Sequence, residues 1–155
     1  MKIVADLQLN YNFKVTDSTY KSDKVTTLSS GGDGSRGYIY PIGYDQNKDG
    51  WAECVSLVVA LKGVTWETKN WVPSKVSVIE GGASPGDPIA TFVNGKYSDA
   101  HAAIFVGYNR DGNGNILGWF MLDQNNVPHS EKPAGIRYYP VNGSVYAPEY
   151  YSFHS

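Results

Sequence analysis

The stretch Cys54-Val55-Ser56-Leu57-Val58-Val59-Ala60-Leu61-Lys62 decides how the rest of the chain is read. It is apolar nearly all round, and a helix with no polar face belongs in a protein interior. Polar residues precede it, and Gly63 suits its C-terminal stop. Its three valines would also suit a strand, so the helix reading rests on length and flanks rather than on propensity.

Downstream of this segment the pattern changes to strands. Ile89–Val93 follows the breaker Pro85-Gly86-Asp87-Pro88 and stops at Asn94-Gly95, a strong turn signal. His101-Ala102-Ala103-Ile104-Phe105-Val106-Gly107-Tyr108 is apolar on both faces, as a central strand is. Ile116–Asp123 comes after the turn-rich Asn109-Arg110-Asp111-Gly112-Asn113-Gly114-Asn115, and two shorter candidates, Ile136–Tyr139 and Tyr150–Phe153, close the chain. One buried helix followed by an antiparallel meander predicts an α+β fold.

Upstream, residues 1–36 alternate loosely (Ile3, Ala5, Leu7, Leu9) and end in Ser29-Ser30-Gly31-Gly32-Asp33-Gly34-Ser35, a flexible connection. They read as an N-terminal extension or edge strand, leaving 37–155 as the main domain. A chain of 155 residues can bury roughly 70% of its unfolded surface around one core. Seventeen Gly and eight Pro point to many turns.

Charge and composition narrow the function. A net charge of −2 provides no basic face for nucleic acid. The single cysteine excludes an internal disulfide. The start Met1-Lys2-Ile3-Val4-Ala5-Asp6 has no apolar stretch of signal-peptide length, and the longest apolar run, Leu57–Leu61, is far too short to span a bilayer. A chain made in the cytoplasm without a leader, and not inserted in a membrane, is expected.

The chemistry-bearing residues follow from these elements. Cys54 would open the buried helix, where unpaired N–H groups and the positive end of the macrodipole favour a thiolate and can donate to an oxyanion. The plainer reading is a small buried hydrophobe. A hairpin turning about Gly112 would pair 108 with 116 and 101 with 123, setting His101 directly across from Asp123. That carboxylate would orient the imidazole and leave its other nitrogen for the thiol. A slip of one residue would send the carboxylate to the wrong face. Taken singly, His101 and Asp123 also read as a strand-end histidine and a turn residue.

A second motif is Asp45-Gln46-Asn47-Lys48-Asp49-Gly50, the first half of an EF-hand-type loop with oxygen ligands Asp45, Asn47 and Asp49. Ser56 stands where the bidentate acid is expected, so Glu53, or Asp111 and Asn113 from elsewhere, would have to complete a calcium site. Such an ion would be structural, with no cofactor required for chemistry. The alternative is a turn held by Asx hydrogen bonds. The aromatics Tyr38, Tyr40, Tyr44, Trp51, Trp66 and Trp71 either line a cleft or simply pack.

Together, Glu53-Cys54-Val55-Ser56-Leu57-Val58, Pro85-Gly86-Asp87-Pro88-Ile89-Ala90-Thr91-Phe92 and His101-Ala102-Ala103-Ile104-Phe105-Val106-Gly107 resemble the pattern of bacterial papain-like amidases of the CHAP and NlpC type. More narrowly, Gly37-Tyr38-Ile39-Tyr40-Pro41, Ile89-Ala90-Thr91-Phe92-Val93-Asn94-Gly95-Lys96-Tyr97 and Asp123-Gln124 resemble the type VI secretion amidase effectors. The resemblance covers about residues 37–127; residues 1–36 match no part of it, and Glu53 stands where relatives often carry Gln. It implies a papain-like fold, a buried helix packed on an antiparallel sheet, with nucleophile Cys54, base His101 and orienting acid Asp123. It further implies an antibacterial toxin delivered to the periplasm of a target cell, a peptidoglycan stem-peptide substrate such as the D-alanyl–diaminopimelate cross-link, and a cognate immunity protein. The rivals are a non-catalytic wall-binding module and a phage or housekeeping wall hydrolase.

Overall fold

The computed structural model describes residues 54–124, 135–142 and 144–155, with strands at 15–16, 19–20, 25–28 and 38–41. The chain forms two compact units, Met1–Val64 with Asp123–Gly135, and Thr65–Leu122 with Ile136–Ser155.

In the first unit, β1 (Val15–Thr16) pairs with β2 (Thr19–Tyr20). β3 (Val25–Leu28) runs antiparallel to β4 (Tyr38–Pro41), with Val25 opposite Pro41 and Leu28 opposite Tyr38. The helix α1 spans Cys54–Lys62, as the apolar run predicts, and packs against β4. Leu57 and Val58 are wholly buried, and each such side chain contributes about 1.5–3 kcal/mol by leaving water. Gly63 ends the helix in the left-handed region at φ 68°, and its N–H donates to the Val59 carbonyl at 2.9 Å.

The second unit is built on a six-stranded sheet. Its strands are β5 (Val72–Ser77), β6 (Pro88–Val93), β7 (Lys96–Arg110), β8 (Ile116–Asp123), β9 (Gly135–Pro140) and β10 (Tyr150–His154), in the order β5-β10-β6-β7-β8-β9. The meander expected from the sequence holds from β6 to β9. β10 departs from it by returning between β5 and β6, where it pairs antiparallel with both. Ile89, Ala103, Phe105, Trp119, Met121 and Tyr150 are part of the buried core of this unit. Trp71 belongs to packing rather than to a cleft wall: it is buried, stacks 4.2 Å from Phe153, and donates its indole N–H to the Thr65 carbonyl at 2.9 Å.

β5, like β4, is a strand that the sequence pattern does not predict. Pro73 interrupts its sequence, and a proline in such a run demotes it to an edge position. An edge is where the sheet order places it.

The β6–β7 hairpin turns through Asn94 (φ 52°) and Gly95 (φ 78°), between the paired Val93 and Lys96. This is the two-residue, positive-φ turn that an Asn-Gly pair favours. β7 starts at Lys96, well before the expected His101, because a bulge separates two regular stretches of the ladder. Ala90 faces Ala102 and Phe92 faces Tyr97, so residues 98–101 of β7 stand against Thr91 alone.

The β7–β8 register corrects the expectation that His101 lies directly opposite Asp123. Ile104 pairs with Leu122 and Arg110 with Ile116, so the hairpin turns about Asn113 rather than Gly112. The cause is Asp111. Its Oδ1 accepts the N–H groups of Asn113 (2.8 Å) and Asn115 (2.9 Å), its Oδ2 accepts from the Asn115 side chain, and its own N–H donates to the Asn115 carbonyl. These bonds close a loop over 111–115 and shift the pairing by two residues. Two further irregularities, at Val106 and Leu117, offset one another along the ladder.

Candidate active site

Cys54 is the first residue of α1 and is partly exposed. The next four residues, Val55, Ser56, Leu57 and Val58, are buried. The apolar run that drives the helix inward therefore leaves its first residue at the rim of the packed region. The N–H groups of this opening turn have no partner one turn earlier in the helix, a general property of helix starts.

Asp123 ends β8 and is wholly buried, as is the neighbouring Gln124. Gln124 donates from Nε2 to the Ser56 hydroxyl at 2.9 Å. This bond joins the segment after β8 to the first turn of α1, two residues beyond Cys54. Ser56 and Gln124 both belong to the motifs read above, but the sequence assigns neither of them a bond or a role. Their signal is polarity inside apolar surroundings, since a buried amide and hydroxyl are retained only when they bond.

His101 lies in the second unit and is 5% exposed. It stands where the bulge in β7 rejoins the regular ladder, two residues after Asp99, a non-glycine residue in the left-handed region at φ 64°. The Thr91 hydroxyl fills the gap that the bulge leaves. His101 donates its backbone N–H to Thr91 Oγ1 at 3.2 Å, and Thr91 Oγ1 lies 3.4 Å from the His101 carbonyl, to which it donates. Ser98 donates its hydroxyl to the same oxygen at 2.7 Å, with Glu149 Oε1 a more distant acceptor at 3.4 Å. Thr91 belongs to the Ile89–Tyr97 motif, where its signal is a hydroxyl between Ala90 and Phe92 in an otherwise apolar strand.

The calcium-loop residues Asp45, Asn47 and Asp49, and Glu53, lie outside the described residues. The alternative contributors Asp111 and Asn113 are described. The Asp111 carboxylate is engaged by the amides of its own loop, which hold its pKa below the usual carboxylate range: the Asn115 side chain first, then the Asn115 and Asn113 backbone. Among the described residues no group of three His, Cys, Asp or Glu side chains is arranged to hold a metal. No helix of the described residues is long and apolar enough to cross a membrane.

Comparison with known proteins places these elements in a family. Residues 36–147 match the family model described as domesticated amidase effector 2. The structure is similar to that of a type 6 secretion amidase effector 2, at 26% identity and a TM-score of 0.51, covering 66% of this chain and 81% of the other. Among curated proteins none matches. The matched span includes the helix that Cys54 opens, the bulge before His101 and the end of β8. The chain therefore has the α+β, papain-like fold of the type VI amidase effectors and belongs to their family, through the domesticated amidase effector 2 branch.

Proposed function

We propose that this protein is a cysteine amidase that cleaves a stem-peptide or cross-link amide of peptidoglycan, acting as an antibacterial type VI secretion effector. Its nucleophile is Cys54, its base His101 and its orienting acid Asp123. The observation that carries this reading is the position of Cys54: a partly exposed sulfur on the first residue of a buried helix, in a chain with one cysteine and an amidase family match.

In this mechanism His101 takes the thiol proton and the thiolate attacks the substrate carbonyl. Backbone N–H groups at the start of α1 donate to the oxyanion. The tetrahedral intermediate collapses as His101 protonates the departing amine, leaving a thioester on Cys54. Water, deprotonated by His101, then hydrolyses the thioester and regenerates the thiol. Asp123 holds the imidazole tautomer and supports its charged form. Its burial supports that role, because a wholly buried carboxylate is costly unless it is paired or hydrogen-bonded.

The D-alanyl–diaminopimelate cross-link is the amide we assign as substrate. Delivery into a rival cell's periplasm, with a cognate immunity protein protecting the producer, completes the proposal. The test is digestion of purified sacculi followed by mass measurement of the fragments. Wild type is expected to release fragments carrying new diaminopimelate amines, and Cys54→Ala to release none while keeping its near-ultraviolet circular dichroism. Full activity in Cys54→Ala, or binding without cleavage by wild type, would overturn the reading, the latter in favour of a wall-binding module.

A further inference from the structure

We propose that the Thr91 hydroxyl is the positioning group for His101, fixing the backbone from which the imidazole projects. The inference rests on the reading of His101 as the base. Ladder hydrogen bonding is interrupted just where that side chain must be aimed, because residues 98–101 of β7 face Thr91 alone and Asp99 sits at φ 64°. A backbone released from its ladder has freedom that a base cannot have. Thr91 removes it. Its hydroxyl accepts from the His101 N–H and from Ser98, and directs its own proton to the His101 carbonyl. One donor and two lone pairs are thereby all used, which is the full capacity of a hydroxyl.

Thr91 itself is held firmly. It is wholly buried on β6, which is flanked by β7 and β10, and its backbone pairs with Tyr150 on the β10 side. The anchor is therefore an interior strand, and the anchored segment is the bulge. Ser98 extends the arrangement by tying the far side of the bulge to the same oxygen, so both limbs converge on one atom. Valine has nearly the shape of threonine without the hydroxyl, whereas serine keeps the hydroxyl without the methyl group. The pair separates bonding from packing.

The experiment measures kcat and KM of the full chain on cross-linked muropeptides for wild type, Thr91→Val, Thr91→Ser, Ser98→Ala and His101→Ala, with Ser74→Ala as control. Ser74 bonds to Ser152 at 2.9 Å in the same sheet, away from His101. Displacement of a catalytic group by about 1 Å costs on the order of 100-fold. Thr91→Val is therefore expected to lower kcat about 10- to 100-fold with KM little changed, Thr91→Ser to restore kcat to within about threefold of wild type, and Ser74→Ala to leave it unchanged. A folded Thr91→Val with wild-type kcat overturns the proposal, as does a Thr91→Ser no better than Thr91→Val. Should Thr91→Val fail to fold, Ser98→Ala decides: a lowered kcat at constant KM supports the proposal and an unchanged kcat overturns it. His101→Ala keeps the two readings apart. Full activity there removes His101 as base, whereas an inactive His101→Ala beside a fully active Thr91→Val removes only the role of Thr91.

Discussion

Asp111 is the residue whose side chain moves a whole strand. By gathering the amides of Asn113 and Asn115 it makes a five-residue loop over 111–115 where a seven-residue one about Gly112 was expected, and the β7–β8 pairing shifts by two positions. Those amides lower its pKa, so the folded state favours the charged carboxylate. A group with a lowered folded pKa stabilises the protein above its ordinary pKa, and that contribution is lost as pH falls through the lowered value. Asp111→Asn is thus expected to be slightly less stable than wild type at neutral pH, with the two converging as pH drops below the usual carboxylate range. Urea midpoints at about pH 7 and about pH 2.5 measure the gap. A gap that persists undiminished in acid would assign the effect to the amide geometry alone. The same residue explains why the candidate site was only partly legible. Residue types marked Cys54, His101 and Asp123, but their register depended on Asx bonds that pairing rules do not encode. Thr91, Ser56 and Gln124 carry no chemical signature beyond being polar in apolar company.

At the scale of elements, legibility followed how much of the pattern was local. The helix Cys54–Lys62 and the strand Ile116–Asp123 coincide with their expected bounds, because an unbroken apolar run ending in Gly63 and a turn-bounded strand are decided within a few residues. β7 was read short, since the bulge at 98–101 breaks the alternation that would have joined Lys96 to His101. β5 escaped because Pro73 argues against a strand unless the strand is known to lie at an edge. β10 was recognised, but its return between β5 and β6 is a long-range pairing. The helix is held by burial rather than by propensity, so its interior should be sensitive to lost volume. Leu57→Ala, at a wholly buried position, is expected to cost about 2–5 kcal/mol in chemical denaturation. A cost under about 1 kcal/mol would mean that α1 is not packed as described.

Across the molecule, family membership and fold agree with the resemblance carried by the motifs around Cys54, Thr91 and His101; the matched residues 36–147 begin where the expected span of about 37–127 begins and extend past its end. The central claim is covalent: the sulfur of Cys54 carries the acyl group of the substrate during turnover. The measurement that addresses it most directly is intact-mass analysis of the protein, acid-quenched while it processes cross-linked muropeptides and followed by peptide mapping. A mass increase equal to the acyl fragment, located on the Cys54 peptide, absent from Cys54→Ala and removed by hydroxylamine, is the expected result. Turnover with no adduct at any quench time, together with an active Cys54→Ala, would contradict it.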